Sequence, residues 1–253
     1  MNELLDRLKK EARVLSKAQT TALTAQFAPE IRYSRELFSN HPLVLRCRED
    51  VCPFLNDKYG HGVRHARKVA IDAGALIMVE TQGWDLKIAR RLALLAQLAA
   101  LCHDICRFEP DHALRGASLT RRILSGYPLN LGELEAIVFA IENHEAFQPM
   151  TETRDETCSL LAGALYDADK FRWGPDNFST TLWEICDYEE WSLAQILERM
   201  PKGLRFIESV AETFRTRTGR IYGPEYIEIG LNIGRRLYAR LLELNRQTAG
   251  SPA

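Results

Sequence analysis

Apolar residues recur at intervals of three and four through most of the chain, and no run of alternating β-branched residues interrupts them. That periodicity predicts helix after helix, over residues 1–27, 30–38, 41–50, 61–81, 85–106, 111–125, 131–145, 155–171, 178–186, 192–217 and 224–246. Turn residues set the cuts. In "TQGWD" one helix stops and Asp85 can cap the next. "SGYPLNLGE" breaks the chain and then offers Asn130 and Glu133 in a capping-box arrangement. "WGPDN" and "YGPEY" put Gly and Pro where a helix stops or starts. The expectation is a single all-α domain over 1–246, with its motifs in 59–175 and helical extensions over 1–55 and 178–246. A flexible tail is expected over 247–253, since "RQTAGSPA" has the composition of a frayed end.

A chain of 253 residues can bury a sizeable core. Its formal net charge of -1 gives no electrostatic case for nucleic acid or for an anionic membrane surface. The opening "MNELLDRLKKEARVL" is charged and amphipathic, unlike a secretory signal. The longest apolar run, around 92–102, is too short to span a bilayer and contains Gln97. A soluble cytoplasmic protein is therefore expected. Its cysteines, Cys47, Cys52, Cys102, Cys106, Cys158 and Cys186, are expected to be free thiols. Cys102 and Cys106 stand one turn apart beside a His-Asp pair. No second cysteine pair completes a thiolate site, so they read as small buried residues.

The histidines bring in chemistry. Five of the six lie between residues 61 and 144. His61 and His65, four apart in "GHGVRHARKVA", would share one helix face, and His65 is in line with Val69, Asp72 and Leu76, the inward face. His103 and Asp104 end the apolar run "IARRLALLAQLAALCHDICRF". His112 opens the next segment, with Gly116 four residues on to allow close backbone approach. His144 continues the stripe of Ile137 and Ile141, and Asp169 that of Leu161 and Leu165, with Asp167 as the alternative carboxylate. Any one of these histidines alone would more often be a satisfied core residue than a ligand. Together, several inward imidazoles and two carboxylates, with no arginine at a matching inward position, call for a cation. Mixed His and Asp donors suit Mn, Fe, Co, Ni or Zn better than Ca, with Mg also admissible.

"HARKV", "LAALCHDICRF" and "DADKF", in that order, resemble the signature of the HD superfamily of metal-dependent phosphohydrolases. The likeness covers roughly residues 59–175. It implies an HD-domain helical bundle, here with extra N- and C-terminal helices, and one or two divalent metal ions. By the resemblance His65, His103, Asp104 and Asp169 hold the first ion. Asp104 would bridge to a second, carried by His112 and His144, although the Asp104-to-His112 gap is shorter than in many two-metal members. Cyclic-dinucleotide phosphodiesterases of the superfamily follow the later His with Gly-Tyr-Pro, where this chain has "NHEAFQPM". Alarmone hydrolases carry Glu-Asp shortly after His-Asp, where this chain has Ile105, Cys106 and Arg107. The spacing of His61, His65 and Val69 resembles instead the small bacterial phosphohydrolases.

The implied activity is hydrolysis of a phosphoester, a phosphomonoester or nucleotide-like small molecule, by attack of metal-bound hydroxide. Positive charge must meet the phosphate oxygens. Lys68, Arg107, Arg115 and Lys170 stand near ligand positions, with Lys68 and Lys170 the preferred pair. His61 is placed as a general acid or phosphate contact, or as a support behind the ligands. Phe171, Trp173 and Trp183 could stack on a base, although core aromatics are commoner. The expected partner is a small phosphorylated substrate, without nucleic acid or membrane, and a homodimer is left open. The alternative is a non-catalytic HD-type module that binds a nucleotide to regulate.

Overall fold

The computed structural model describes residues 2–56, 60–153 and 155–249. The motif boundary at 59 and residues 250–253 of the expected tail lie outside these. Twelve α-helices and no strand occur among the described residues. They are α1 (Asn2–Lys17), α2 (Ala22–Gln26), α3 (Ala28–Asn40), α4 (Pro42–Val51), α5 (Val63–Glu80) and α6 (Leu86–Cys102), followed by α7 (His112–Leu124), α8 (Leu131–Glu142), α9 (Glu156–Lys170), α10 (Leu182–Tyr188), α11 (Leu193–Val210) and α12 (Arg217–Ala249). A 3-10 turn at Phe171–Trp173 and a π-helical turn at Asn177–Thr181 link α9 to α10.

Side-chain caps fix many of the helix starts. Asp85 accepts from the backbone of Lys87 and Ile88, and Asn130 and Glu133 form the reciprocal capping box the sequence predicts. Ser192 and Gln195 make a second one that the sequence reading missed. Three predicted helices differ most from the structure, one of them the helix over 192–217, which stops at Val210 before a non-helical link over 211–216. Another, over 1–27, is broken at 18–21, where Thr21 caps α2 with its hydroxyl. At the other end α12 runs straight through "YGPEY" to Ala249, so the expected break at 224 is absent and helix continues into the expected tail. Pro224 removes one backbone donor, but tertiary packing outweighs that loss. Ile227, Leu231, Leu237 and Leu241 are all buried, and Gly230 comes so close to the 171–174 turn that a Cβ there would meet the Gly174 carbonyl carbon at 2.5 Å.

The apolar helix α6 is the axis of the core. From Leu92 to Cys102 every residue is buried. It packs most extensively on α5, with α4, α8 and α9 also against it, while α3 and α9 cover α5. Gln97, the one polar residue inside this run, donates from Nε2 to the Ser34 carbonyl at 2.8 Å and to its hydroxyl at 2.9 Å, which offsets its burial. No helix among the described residues is long and apolar enough to cross a membrane. The six cysteines carry no disulfide, and Cys47 and Cys102 meet in the core with sulfurs 3.9 Å apart.

Gly116 does not serve the close approach expected of it. A Cβ there would lie 3.5 Å from the His103 carbonyl oxygen, an ordinary contact. Gly116→Ala should therefore stabilise the protein by ~0.5–1 kcal/mol, through helix propensity and a less flexible unfolded chain. Urea denaturation reads this directly, and a loss of stability would show the contact to be tighter than drawn.

Candidate metal centre

The packing of α5 against α6 and α9 brings the ends of separate helices to one point. His65 stands in the first turn of α5, His103 caps the C-terminus of α6, Asp104 is in the turn after it, and Asp169 is in the last turn of α9. His65 Nε2 lies 3.1 Å from Asp169 Oδ1, 3.3 Å from His103 Nε2 and 3.6 Å from Asp104 Oδ2. His103 Nε2 in turn lies 3.3 Å from Asp104 Oδ2 and 3.8 Å from Asp169 Oδ1. Ligand atoms bound to one ion at ~2.1 Å, at tetrahedral or octahedral angles, stand about 3.0–3.4 Å apart. Donor atoms of His65, His103 and Asp169 all lie within 4.8 Å of one another, and Asp104 adjoins them through His65 and His103, so the group has the chemistry to hold a divalent ion.

Hydrogen bonds behind the donors orient them. His103 Nδ1 is 2.7 Å from the Ala100 carbonyl and His144 Nδ1 is 2.6 Å from that of Ile141, so each Nδ1–H donates to backbone and each Nε2 faces inward. Burial pushes His65 down to about 4 against the pull of Asp169, leaving a neutral imidazole at ordinary pH. Burial also opposes charge on His103, but the Asp104 carboxylate overrides it and lifts this ring to about 9. Asp104 shows the reverse balance. Burial works to raise it, and the charge of His103, with hydrogen bonds from His103 and His61, holds it well below the usual carboxylate range. Burial likewise works to raise Asp169, and Lys170 and His65 hold it well below that range. Both carboxylates are thus anionic and ready for a cation.

The two candidate carboxylates of "DADKF" separate cleanly. Asp169 faces the imidazoles. Asp167 points away, accepting from the Arg215 and Thr216 backbone at 2.8 Å each and from the Thr216 hydroxyl at 2.6 Å. Burial pushes its carboxyl up to about 6. Asp167 therefore ties α9 to the approach of α12 rather than facing the donors.

A second group of donors adjoins the first. Asp104 Oδ1 is 3.6 Å from His144 Nε2, and donor atoms of Asp104, His112 and His144 lie within 4.8 Å of one another. His112, at the start of α7, has Nδ1 3.0 Å from Glu145 Oε1 and Nε2 3.1 Å from Arg107 Nη1. Burial, then His144 and Arg107, push it down to about 4.

Other sequence expectations change on the structure. His61 does not share a helix with His65, because α5 begins only at Val63. The extended residue Gly62 nevertheless carries the His61 ring to the cluster, where Nδ1 is 2.8 Å from Asp104 Oδ2. Lys170 cannot be a free phosphate contact. It is buried, donates to Asp169 Oδ2 and to the His144 carbonyl at 3.1 Å, and sits over the Tyr166 ring. Lys68 is part-exposed and paired with Asp176. Arg115 is bound to Glu109 at the surface. Phe171 and Trp183 are core aromatics, leaving Trp173 on a cavity wall.

The inward arginine thought to be missing is Arg172. Its guanidinium donates to Asp72 on α5 and, at 2.6 Å, to Asp176. Its signal was present in the sequence: Arg172 follows Asp169 at the i+3 spacing of a helix face. Arg172 and Trp173 line a cavity of about 440 Å³ together with His61, His65, Asp169, Arg107 and Phe108. Arg172, Lys68 and His65 also border a smaller cavity of about 200 Å³. A larger one, about 950 Å³ beside Tyr166 and Arg215, contains none of the donors.

Residues 63–174 match the family model of the HD domain. The chain carries an HD domain. The match covers α5 to the turn after α9, and so includes His65, His103, Asp104 and Asp169 as well as His112 and His144. His61 and the helices before α5 and after the 171–174 turn lie outside the matched residues. No solved structure matches the chain.

Proposed function

We propose that this HD-domain protein is a metal-dependent phosphohydrolase acting on a small phosphorylated substrate. The observation that carries the reading is the convergence of two imidazoles, 3.3 Å from each other and each 3.1–3.8 Å from two anionic carboxylates, beside a cavity lined by cations. In this reading His65, His103, Asp104 and Asp169 hold the ion. When bound, the ion supplies Lewis acidity and brings water toward ionisation at neutral pH.

The remaining roles belong to the chain. The Ala100 carbonyl fixes the ring of His103, and Lys170 holds one oxygen of Asp169 so that the other faces the imidazoles. His61, hydrogen-bonded to Asp104 and lining the cavity, would pass a proton to the leaving oxygen. Lys68 and Arg107 border the two cavities and can meet phosphate oxygens, while Arg172 aligns the wall between them. The extensions join the HD domain as one unit in this reading, since α12 packs on α5, α9 and the 171–173 turn.

A screen of phosphorylated metabolites, with Mn, Co and Ni added separately to the full chain, tests the proposal. Phosphate release that depends on added metal and ceases on chelation is the expected result. Saturable nucleotide binding without turnover under any metal would instead establish the non-catalytic module.

A further inference from the structure

Arg107 stands where the second donor group opens. It belongs to "HDICR", in the turn after α6, and its backbone N–H donates to the Asp104 carbonyl at 3.0 Å, which folds the side chain back toward the centre. Its Nη1 is 3.1 Å from His112 Nε2. A guanidinium can only donate, so His112 Nε2 must be the acceptor. The imidazole proton is then on Nδ1, directed to Glu145 Oε1 at 3.0 Å. Both ends of the His112 ring are thereby committed, and the lone pair an ion would need is engaged by Arg107. One lone pair cannot serve a metal at ~2.1 Å and a hydrogen bond at the same time.

In the first donor group no arginine or lysine among the described residues engages a ring nitrogen, and the His61 hydrogen bond falls on Asp104 Oδ2, a carboxylate oxygen with a second lone pair. The group's nearby cation, Lys170, bonds Oδ2 of Asp169 and leaves Oδ1 facing His65. We propose that Arg107 is a built-in cation that closes the second position, so that the centre takes one divalent ion and a guanidinium where a two-metal centre would take two ions. The proposal rests on the reading of His65, His103, Asp104 and Asp169 as the first ion's ligands.

Titration of metal-free full-length protein with Mn²⁺ alone, followed by calorimetry and by metal analysis after dialysis, tests it. Wild type should bind one equivalent. Arg107→Ala should bind two, and Arg107→Ala with His112→Ala should return to one. His112→Ala alone should bind one equivalent with unchanged affinity, a result that does not depend on the arginine variant's folding. Circular dichroism and thermal melting check the fold of each variant. Two equivalents in wild type, one in a folded Arg107→Ala protein, or weakened binding in His112→Ala would each overturn the role of Arg107 and leave the hydrolase reading standing. No binding by wild type would overturn both.

Discussion

Asp104→Ala should leave a helical protein that binds no ion and has lost at least about 10³ in kcat/KM, equivalent to ~4 kcal/mol of transition-state stabilisation. The size follows from the position of this one carboxylate. Its Oδ2 faces His61, His65 and His103, and its Oδ1 faces His144, so removing it takes away a donor and the anion that balances the imidazoles. The cost to folding should be smaller, about 1–3 kcal/mol, because a buried imidazole can shed its proton when its carboxylate is lost. Metal analysis, far-ultraviolet circular dichroism and a phosphatase assay on one preparation separate these effects. An Asp104→Ala protein that retains activity removes the hydrolase proposal.

Arg172→Met should destabilise the fold by up to about 3 kcal/mol at neutral pH, the cost of leaving two partly buried anions without their counter-ion. Methionine keeps much of the side-chain volume, so the loss reports charge and hydrogen bonding more than a cavity. Two carboxylates depend on this guanidinium. Burial already holds Asp72 above its usual range even with Arg172 beside it, whereas Arg172 and Lys68 hold Asp176 below that range against burial. The sign of the pH dependence follows from this. A buried carboxyl with a raised pKa in the folded state costs stability as pH rises, since the unfolded chain ionises more readily. Losing Arg172 raises Asp72 further, so the penalty should be largest at neutral pH and shrink as the pH falls into the acid range where Asp72 takes up a proton. Urea denaturation across that range measures it. A penalty independent of pH would mean that packing, not charge, is what Arg172 contributes.

Local features were the most legible in the sequence. Asp85, Asn130 and Glu133 act within one helical turn of themselves, so their roles follow from neighbouring residues alone. The inward faces of α5, α8 and α9 followed from periodicity, and with them the inward placing of His65, His144 and Asp169; that they belong to one centre came from the resemblance. What stayed hidden depends on contacts between distant segments. Pro224 looks like a helix break, and only the packing of α12 on the 171–174 turn explains why it is not one. Lys170 looks like a surface charge beside a ligand, and only the carbonyl of His144 and the ring of Tyr166 make it a buried clamp. Asp167 and Asp169 could not be told apart until the Arg215–Thr216 backbone was seen to claim the first.

The contact between His65 and Asp169 joins the start of α5 to the end of α9, closing a loop of about 100 residues at an entropic cost on the order of 4 kcal/mol. Each helix can form from its own neighbours well before that distance is closed. The donor cluster should therefore form late in folding, in a chain already largely helical while its acidic and imidazole groups are still apart. An ion held there would act as a removable cross-link between the two ends of the matched region, and would bear on the order of assembly as well as on chemistry.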